Sequence, residues 1–345
     1  MARFGGLLVT GLREVTSDPA ALDSTGFWAV AHDFEGRLIC ARFDELRPDP
    51  TPPGGATTGA AGGGWLGPHP DSWHSSLDRT AYTAGVRRIR EHIAAGEVYQ
   101  ANLCRVLSAP LPDPARTDID ALTALLAHGN PAPYAGTIRL PSHGVEIATA
   151  SPELYLRRQG DTVSSGPIKG TGRTEHDLLE KDHAENVMIV DLVRNDLGRV
   201  CETGSITVPD LCVVEKHPGL VHLVSTVQGT LRAGAGWPEL LAGTFPPGSV
   251  TGAPKSSALR IIEALETAPR GPYCGAIGWV DADRGQAELA VGIRTFWIDR
   301  TEGRPVLRFG TGAGITWGSD PEREWDETEL KAARLVAIAS GTHLF

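Results

Sequence analysis

Residues 274–315 read CGAIGWVDADRGQAELAVGIRTFWIDRTEGRPVLRFGTGAGI, and this stretch decides the fold class. CGAIGWVDA, QAELAVGIRTFWID and PVLRFGTGAG read as strands joined by Gly-rich turns, which is hairpin order. Upstream, GFWAVAHDFEGRLICARF (26–43) reads as two more strands turning at Glu35-Gly36. GEVYQANLCRVLSAPL, AGTIRL, GVEIATA, ELYLRRQ, SITVPDLCVVEKH and HLVSTVQGTLRA continue the pattern. Helices are fewer. One is capped by Asp78, carries Tyr82, Val86, Ile89 and Ile93 on one face, and ends at Gly96. Short helices are expected at 118–128 and in PELLAGTF, and one opens at Pro254 in PKSSALRIIEALET. The last starts with Asp320 as cap and Pro321 as first residue and closes at Gly341. Strands outnumber helices and pair locally, so the expected class is α+β, a large antiparallel domain with helices outside.

The remaining helix organises the chemistry. In TEHDLLEKDHAENVMIVDLVRNDLGRV (174–200) a helix is expected from Glu175 to Leu197, with Gly198 just beyond it. Met188, Ile189 and Leu192 form its apolar stripe, while Asp182 and Glu185, three apart, share a face. A second acid pair, Glu324 and Glu327, sits on the final helix. Either pair alone reads as a solvated helix face. Two helices offering acids in this way can also clamp one hard divalent cation.

The totals bound the function. The 345 residues are 41% apolar and 21% charged, as in a soluble globular protein. A formal charge of −10 and the lack of any Lys/Arg run argue against nucleic-acid binding, yet leave room for a small anion in a local cationic pocket. Cys40, Cys104, Cys201, Cys212 and Cys274 show no metal-ligand spacing and read as reduced thiols of a cytoplasmic protein. No signal peptide and no membrane span is expected. Residues 1–345 are read as one domain: an N-terminal part to about residue 75, including a Gly/Pro-rich mobile stretch at 47–70, then a part at 76–345 that bears the motifs.

Several side chains stand out. Lys169 in SSGPIKGTGRT lies between a Pro-stiffened entry and glycines; it is a nucleophile if desolvated and a solvated turn lysine otherwise. Glu153 in SPELYL is a general acid or a turn residue. TFPPGSVTGAPK (244–255) is a loop entering a helix, where amides can hold a carboxylate. Arg294 in AVGIRTF is a strand guanidinium that wants a carboxylate, more commonly from the protein than from a ligand. His222 in LVHLVS reads first as a core histidine, and Tyr273, His183 and Cys274 carry no independent signal.

Taken together, GEVYQANLCR, NPAPY, SPELYL, GPIKGT, KDHAENVMIVDLVRNDLGRV, HLVSTV, PGSVTGAPK, GPYCGAIGWV, AVGIRTF and GTGAGITWGSDPEREWDETELKAA resemble the chorismate-utilising enzymes. That family includes anthranilate, aminodeoxychorismate, isochorismate and salicylate synthases. The motifs run in family order from Gly96 to Ala333. The resemblance implies two large, mainly antiparallel sheets packed together with helices outside. It also implies one Mg²⁺ holding a chorismate carboxylate, with Glu185 and Glu327 as ligands and Asp182 and Glu324 bonding through metal-bound waters. Arg294 and Tyr273 would hold the enolpyruvyl carboxylate, and Thr251, Gly312, Gly314 and Lys331 the rest of the substrate. His222 would sit on the C4 hydroxyl side, with Glu153 as the acid that helps that hydroxyl leave.

Two positions divide the family. Members that add water to chorismate carry a lysine base where this chain has Gln100, and a glutamine cannot deprotonate water. Anthranilate synthases resemble PIAGT where this chain reads PIKGT, so Lys169 points to the aminodeoxychorismate synthase members. There the lysine is thought to attack C2 as the C4 hydroxyl departs, before ammonia enters at C4. The expected partner is a glutaminase subunit supplying ammonia. Two alternatives stand beside this expectation: anthranilate synthase component I and a non-catalytic chorismate-binding regulatory subunit. Pro247, in FPPGS where the family has FPGGS, is a departure that removes a loop N–H.

Overall fold

The computed structural model describes residues 1–49, 65–113, 117–172, 174–178, 180–217, 220–301 and 303–342. Its first strands are β1 (Ala2–Phe4), β2 (Leu7–Thr16), β3 (Phe27–His32), β4 (Leu38–Pro48), β5 (His74–Ser75) and β6 (Gln100–Pro110). Next come β7 (Tyr134–Leu140), β8 (Val145–Ser151), β9 (Leu154–Gln159), β10 (Thr162–Gly166), β11 (Ile168–Gly172) and β12 (Thr207–His217). The last are β13 (Leu220–Thr230), β14 (Gly252–Ala253), β15 (Ala276–Asp281), β16 (Gln286–Val291), β17 (Thr295–Asp299) and β18 (Val306–Ile315). Among the described residues six α-helices join them: α1 (Arg79–Ala94), α2 (Ile119–Gly129), α3 (Glu180–Gly198), α4 (Trp237–Thr244), α5 (Lys255–Leu265) and α6 (Pro321–Ala339). The fold is α+β, and the described strand pairs are antiparallel.

The two expected sheets are arms of one curled ladder. One arm runs β6–β18–β17–β8–β7. The other runs β2–β4–β3–β15–β16–β9–β10–β13–β12. Strand β1 pairs with β2 on one side and β7 on the other, and so joins them. These first two strands were not expected from the sequence. The largest apolar core draws on both arms, taking Val106 and Ile147 from one and Val30, Leu156 and Val280 from the other. A second core packs α2 and α6 on β8, β17 and β18.

Helix signals held where caps and apolar stripes agreed. Asp78 accepts from the Ala81 N–H at 2.8 Å, and Tyr82, Val86 and Ile89 are fully buried, each contributing roughly 2 kcal/mol. Asp320 caps α6 by accepting from the Arg323 N–H at 3.0 Å. The central helix differs from expectation: it begins at Glu180, not Glu175. Asp177 accepts from the Thr174 N–H at 2.8 Å, closing a separate 3-10 turn over Glu175–Asp177, after which Leu178 is extended. Gly198 is the last helical residue rather than the one beyond. QAELAVGIRTFWID is two strands, not one, and Arg294 stands between them at φ 52°. Of the Gly/Pro stretch, residues 50–64 lie outside the described residues.

Candidate functional site

Glu153 sits where β8 hands over to β9. Its carbonyl accepts from the Val291 N–H of β16 at 3.0 Å, while the Ser151 hydroxyl donates to the Val291 carbonyl at 2.6 Å. The backbone is therefore clamped between strands, and the carboxyl is buried with it. Burial pushes its pKa up from 4.5 to about 7, against the opposing pulls of the Ser249 hydroxyl and the Lys169 ammonium. A carboxyl held there is half-protonated at neutral pH, as a general acid requires.

Lys169 comes from β11 at an irregularity in its pairing with β13, beside Gly170 at φ 72°. Gly170 lies against Asp182: a Cβ there would stand 3.0 Å from the Asp182 Cβ. The first turn of α3, with Glu185 one turn on, thus packs on the strand that carries Lys169. His222 is buried on β13, opposite Thr171 of β11 and Glu215 of β12.

Strand β6 forms a second wall. Gln100 Nε2 donates to Asn102 Oδ1 at 3.1 Å, and the buried Gln100 Oε1 has no partner among the described residues. Asn102 Nδ2 reaches the Ser249 carbonyl at 3.4 Å, and the Asn102 N–H donates to the Thr251 carbonyl at 2.8 Å. The Thr251 hydroxyl turns back into its own loop, donating to the carbonyls of Pro247 (3.1 Å) and Gly248 (3.2 Å). Gly314 on β18 leaves the room Gln100 occupies, since a Cβ would lie 2.6 Å from Gln100 Nε2. Lys331 Nζ on α6 bonds the Gly312 carbonyl at 3.1 Å and Glu327 Oε1 at 2.6 Å.

Arg294 and Tyr273 approach along another edge. Tyr273 is buried, with its hydroxyl 4.0 Å from Cys104 Sγ, and burial raises its pKa far above the usual range. The next residue, Cys274 at φ 63°, donates its N–H to the Gly292 carbonyl at 3.0 Å, two residues before Arg294. Burial lowers the Arg294 pKa, and no charged neighbour among the described residues offsets it. A left-handed non-glycine residue holding a desolvated cation is a strained arrangement that suits an anionic ligand.

The site therefore gathers Lys169, Glu153, Gln100, Gly314 and the Asp182–Glu185 turn around the Ser249 loop. The two acid pairs are all carboxylates, the donor type Mg²⁺ prefers. Among the described residues, however, no three His, Cys, Asp or Glu side chains form a group placed to hold a metal ion. Glu327 instead pairs with Lys331.

Residues 66–337 match the family of chorismate binding enzymes. The chain belongs to that family. Anthranilate synthase component 1 1 of Haloarcula marismortui is 40% identical over 277 residues, covering 77% of this chain and 54% of that protein. Aminodeoxychorismate synthase component 1 of Klebsiella aerogenes is 38% identical over 278 residues, covering 77% of this chain and 59% of that protein. The chain thus matches a little over half the length of these curated relatives. In fold it is similar to anthranilate synthase component I from Streptococcus pneumoniae, with a TM-score of 0.78 and 22% identity over 97% of this chain and 92% of that one. Among the described residues no helix is long and apolar enough to cross a membrane.

Sequence reasoning missed the supports of the site. Asp196 falls seven residues after Ile189 and three after Val193, so helical spacing places it on the buried stripe of α3; that was the available signal. Ser249 lies in the loop and Lys255 at the start of α5, in a motif whose glycines and prolines point to its amides rather than to its side chains. Arg270, fully buried between Glu266 (2.6 Å), the Val250 carbonyl (2.8 Å) and the Asn102 carbonyl (3.3 Å), gave no signal of its own.

Proposed function

We propose that this chain is the chorismate-aminating component of an aminodeoxychorismate synthase, converting chorismate and ammonia to 4-amino-4-deoxychorismate on the route to p-aminobenzoate and folate. The observation that carries this reading is the Lys169 ammonium within electrostatic reach of the buried Glu153 carboxyl, which burial holds near pH 7. Protonated Glu153 donates to the C4 hydroxyl as it leaves. Neutral Lys169 attacks C2, ammonia then bonds at C4, and the lysine departs with its electron pair. Arg294 binds the enolpyruvyl carboxylate with Tyr273 beside it, and Gln100, having no basic nitrogen, does not activate water as a competing nucleophile. Glu185 and Glu327, with Asp182 and Glu324, would hold a Mg²⁺ ion, which would supply positive charge for the second substrate carboxylate. A glutaminase subunit in the cytoplasm is the proposed ammonia source.

The comparable identity to an anthranilate synthase favours the second reading, amination at C2 with loss of pyruvate. Product analysis separates them. Purified chain is incubated with chorismate, Mg²⁺ and an ammonium salt, with and without an added lyase that releases p-aminobenzoate. Lyase-dependent p-aminobenzoate supports the proposal, whereas anthranilate overturns the amination position and isochorismate or salicylate overturns the role of Gln100. Bound but unconverted chorismate would mark a binding subunit.

A further inference from the structure

The loop that brings Ser249 to Glu153 is closed on itself from Pro247 to Thr251 but is short of backbone donors at its start. Phe245–Pro246–Pro247 lacks two backbone donors, and the Thr244 carbonyl ends α4 without a helical partner. Lys255, the first residue of α5, supplies what is missing. Its ammonium spends three hydrogen bonds, on the Thr244 carbonyl (3.0 Å), the Pro246 carbonyl (2.8 Å) and Asp196 Oδ2 (2.7 Å). Asp196 lies near the C-terminal end of α3, the helix whose first turn packs on the Lys169 strand, and Gly248 of the loop rests against its carboxylate. Lys255 and Asp196 are nearly buried, at 12% and 8% side-chain exposure, with Arg199 as a further charge in reach. Glu153, Ser165, Thr244, Ser249 and Asp196 all line one cavity of about 20 Å³, so the acid and the carboxylate partner of Lys255 border the same small space.

We propose that Lys255 is a positioning residue for the reaction: with Asp196 it latches the Phe245–Val250 loop so that the Ser249 hydroxyl donates to the Glu153 carboxyl. This rests on Glu153 being the acid. The latch is tied to the loop carbonyls by direct bonds and to α3 by the ion pair, so it fixes the acid relative to the helix bearing Asp182 and Glu185. Its loss frees Ser249, removes a donor to the ionised form of Glu153, and raises the pH at which the acid deprotonates.

The test uses the full chain with chorismate, Mg²⁺ and ammonium salt. Lys255→Met alone strands a buried carboxylate and can fail to fold, so the second variant is Lys255→Met/Asp196→Leu, which replaces the pair by apolar side chains. Ser249→Ala is the third. The double variant, folded by thermal denaturation, is expected to lose about tenfold or more in kcat with KM for chorismate nearly unchanged. The alkaline limb of its kcat/KM profile should move up by roughly half a pH unit or more, as should that of Ser249→Ala. Wild-type kcat and limb in a folded double variant overturn the latch. An unmoved limb in Ser249→Ala overturns the link to Glu153, whether or not the double variant folds. Full activity of Glu153→Gln would instead overturn the underlying assignment of the acid, which keeps the two failures apart.

Discussion

Glu153→Gln separates catalysis from stability in opposite directions. In the folded chain burial holds the carboxyl at about 7, against 4.5 for the exposed group. Between these values the folded protein keeps a proton that the unfolded chain has released, so the wild type loses stability as pH rises through that window. Above pH 7 the loss is complete, and below 4.5 it is absent. The gap between 4.5 and about 7, at about 1.4 kcal/mol per unit, amounts to roughly 3 kcal/mol. With an unfolding entropy of about 2 cal/mol/K per residue over 345 residues, this corresponds to about 4 °C in Tm. Glutamine keeps the size and an acceptor for Ser249 but never ionises. Thermal melts of both proteins from pH 4.5 to 8 should show the variant gaining about 4 °C on the wild type as pH rises, while its chorismate amination is lost at every pH. A constant Tm offset across the range would refute the argument that Glu153 is buried with a raised pKa.

Three further outcomes are expected. Lys169→Ala should reduce amination at C4 by at least about a hundredfold, and wild-type rates in a product assay would exclude the covalent route. Arg294→Met should raise KM for chorismate roughly ten- to a hundredfold, the value of a charge-assisted hydrogen bond to a carboxylate, with a smaller change in kcat; an unchanged KM would place the carboxylate elsewhere. Glu327→Gln should remove the Mg²⁺ dependence of chorismate binding by titration calorimetry, and undiminished Mg²⁺-dependent binding would free Glu327 from a ligand role.

Local signals in the sequence were enough for the antiparallel α+β class, for the capped helices α1 and α6, and for a set of candidate site residues. Caps and apolar periodicity act over a few residues, and a hairpin such as β15–β16 is closed by its own turn, so each can be read without the rest of the chain. Lys169, Glu153 and Arg294 were legible through their motifs. What each side chain does was not legible, because that depends on residues far away in sequence. The motifs named Arg294 as a ligand and Glu153 as an acid, but the physical ground for each came from the fold: Arg294 is desolvated with no charged neighbour among the described residues, and Glu153 is buried beside Ser249 and Lys169. The start of α3 moved to Glu180 because the Thr174–Asp177 turn competed with the helix for the same residues. Likewise β1 is three residues long, too short to read alone, yet it joins the arms because pairing with both β2 and β7 satisfies its two edges. The sequence by itself determined the strand-rich class, the capped helices and the candidate groups. The tertiary structure decided which of those groups share a dry space, and so which charges persist, because desolvation and charge pairing are set by neighbours that only the fold brings together.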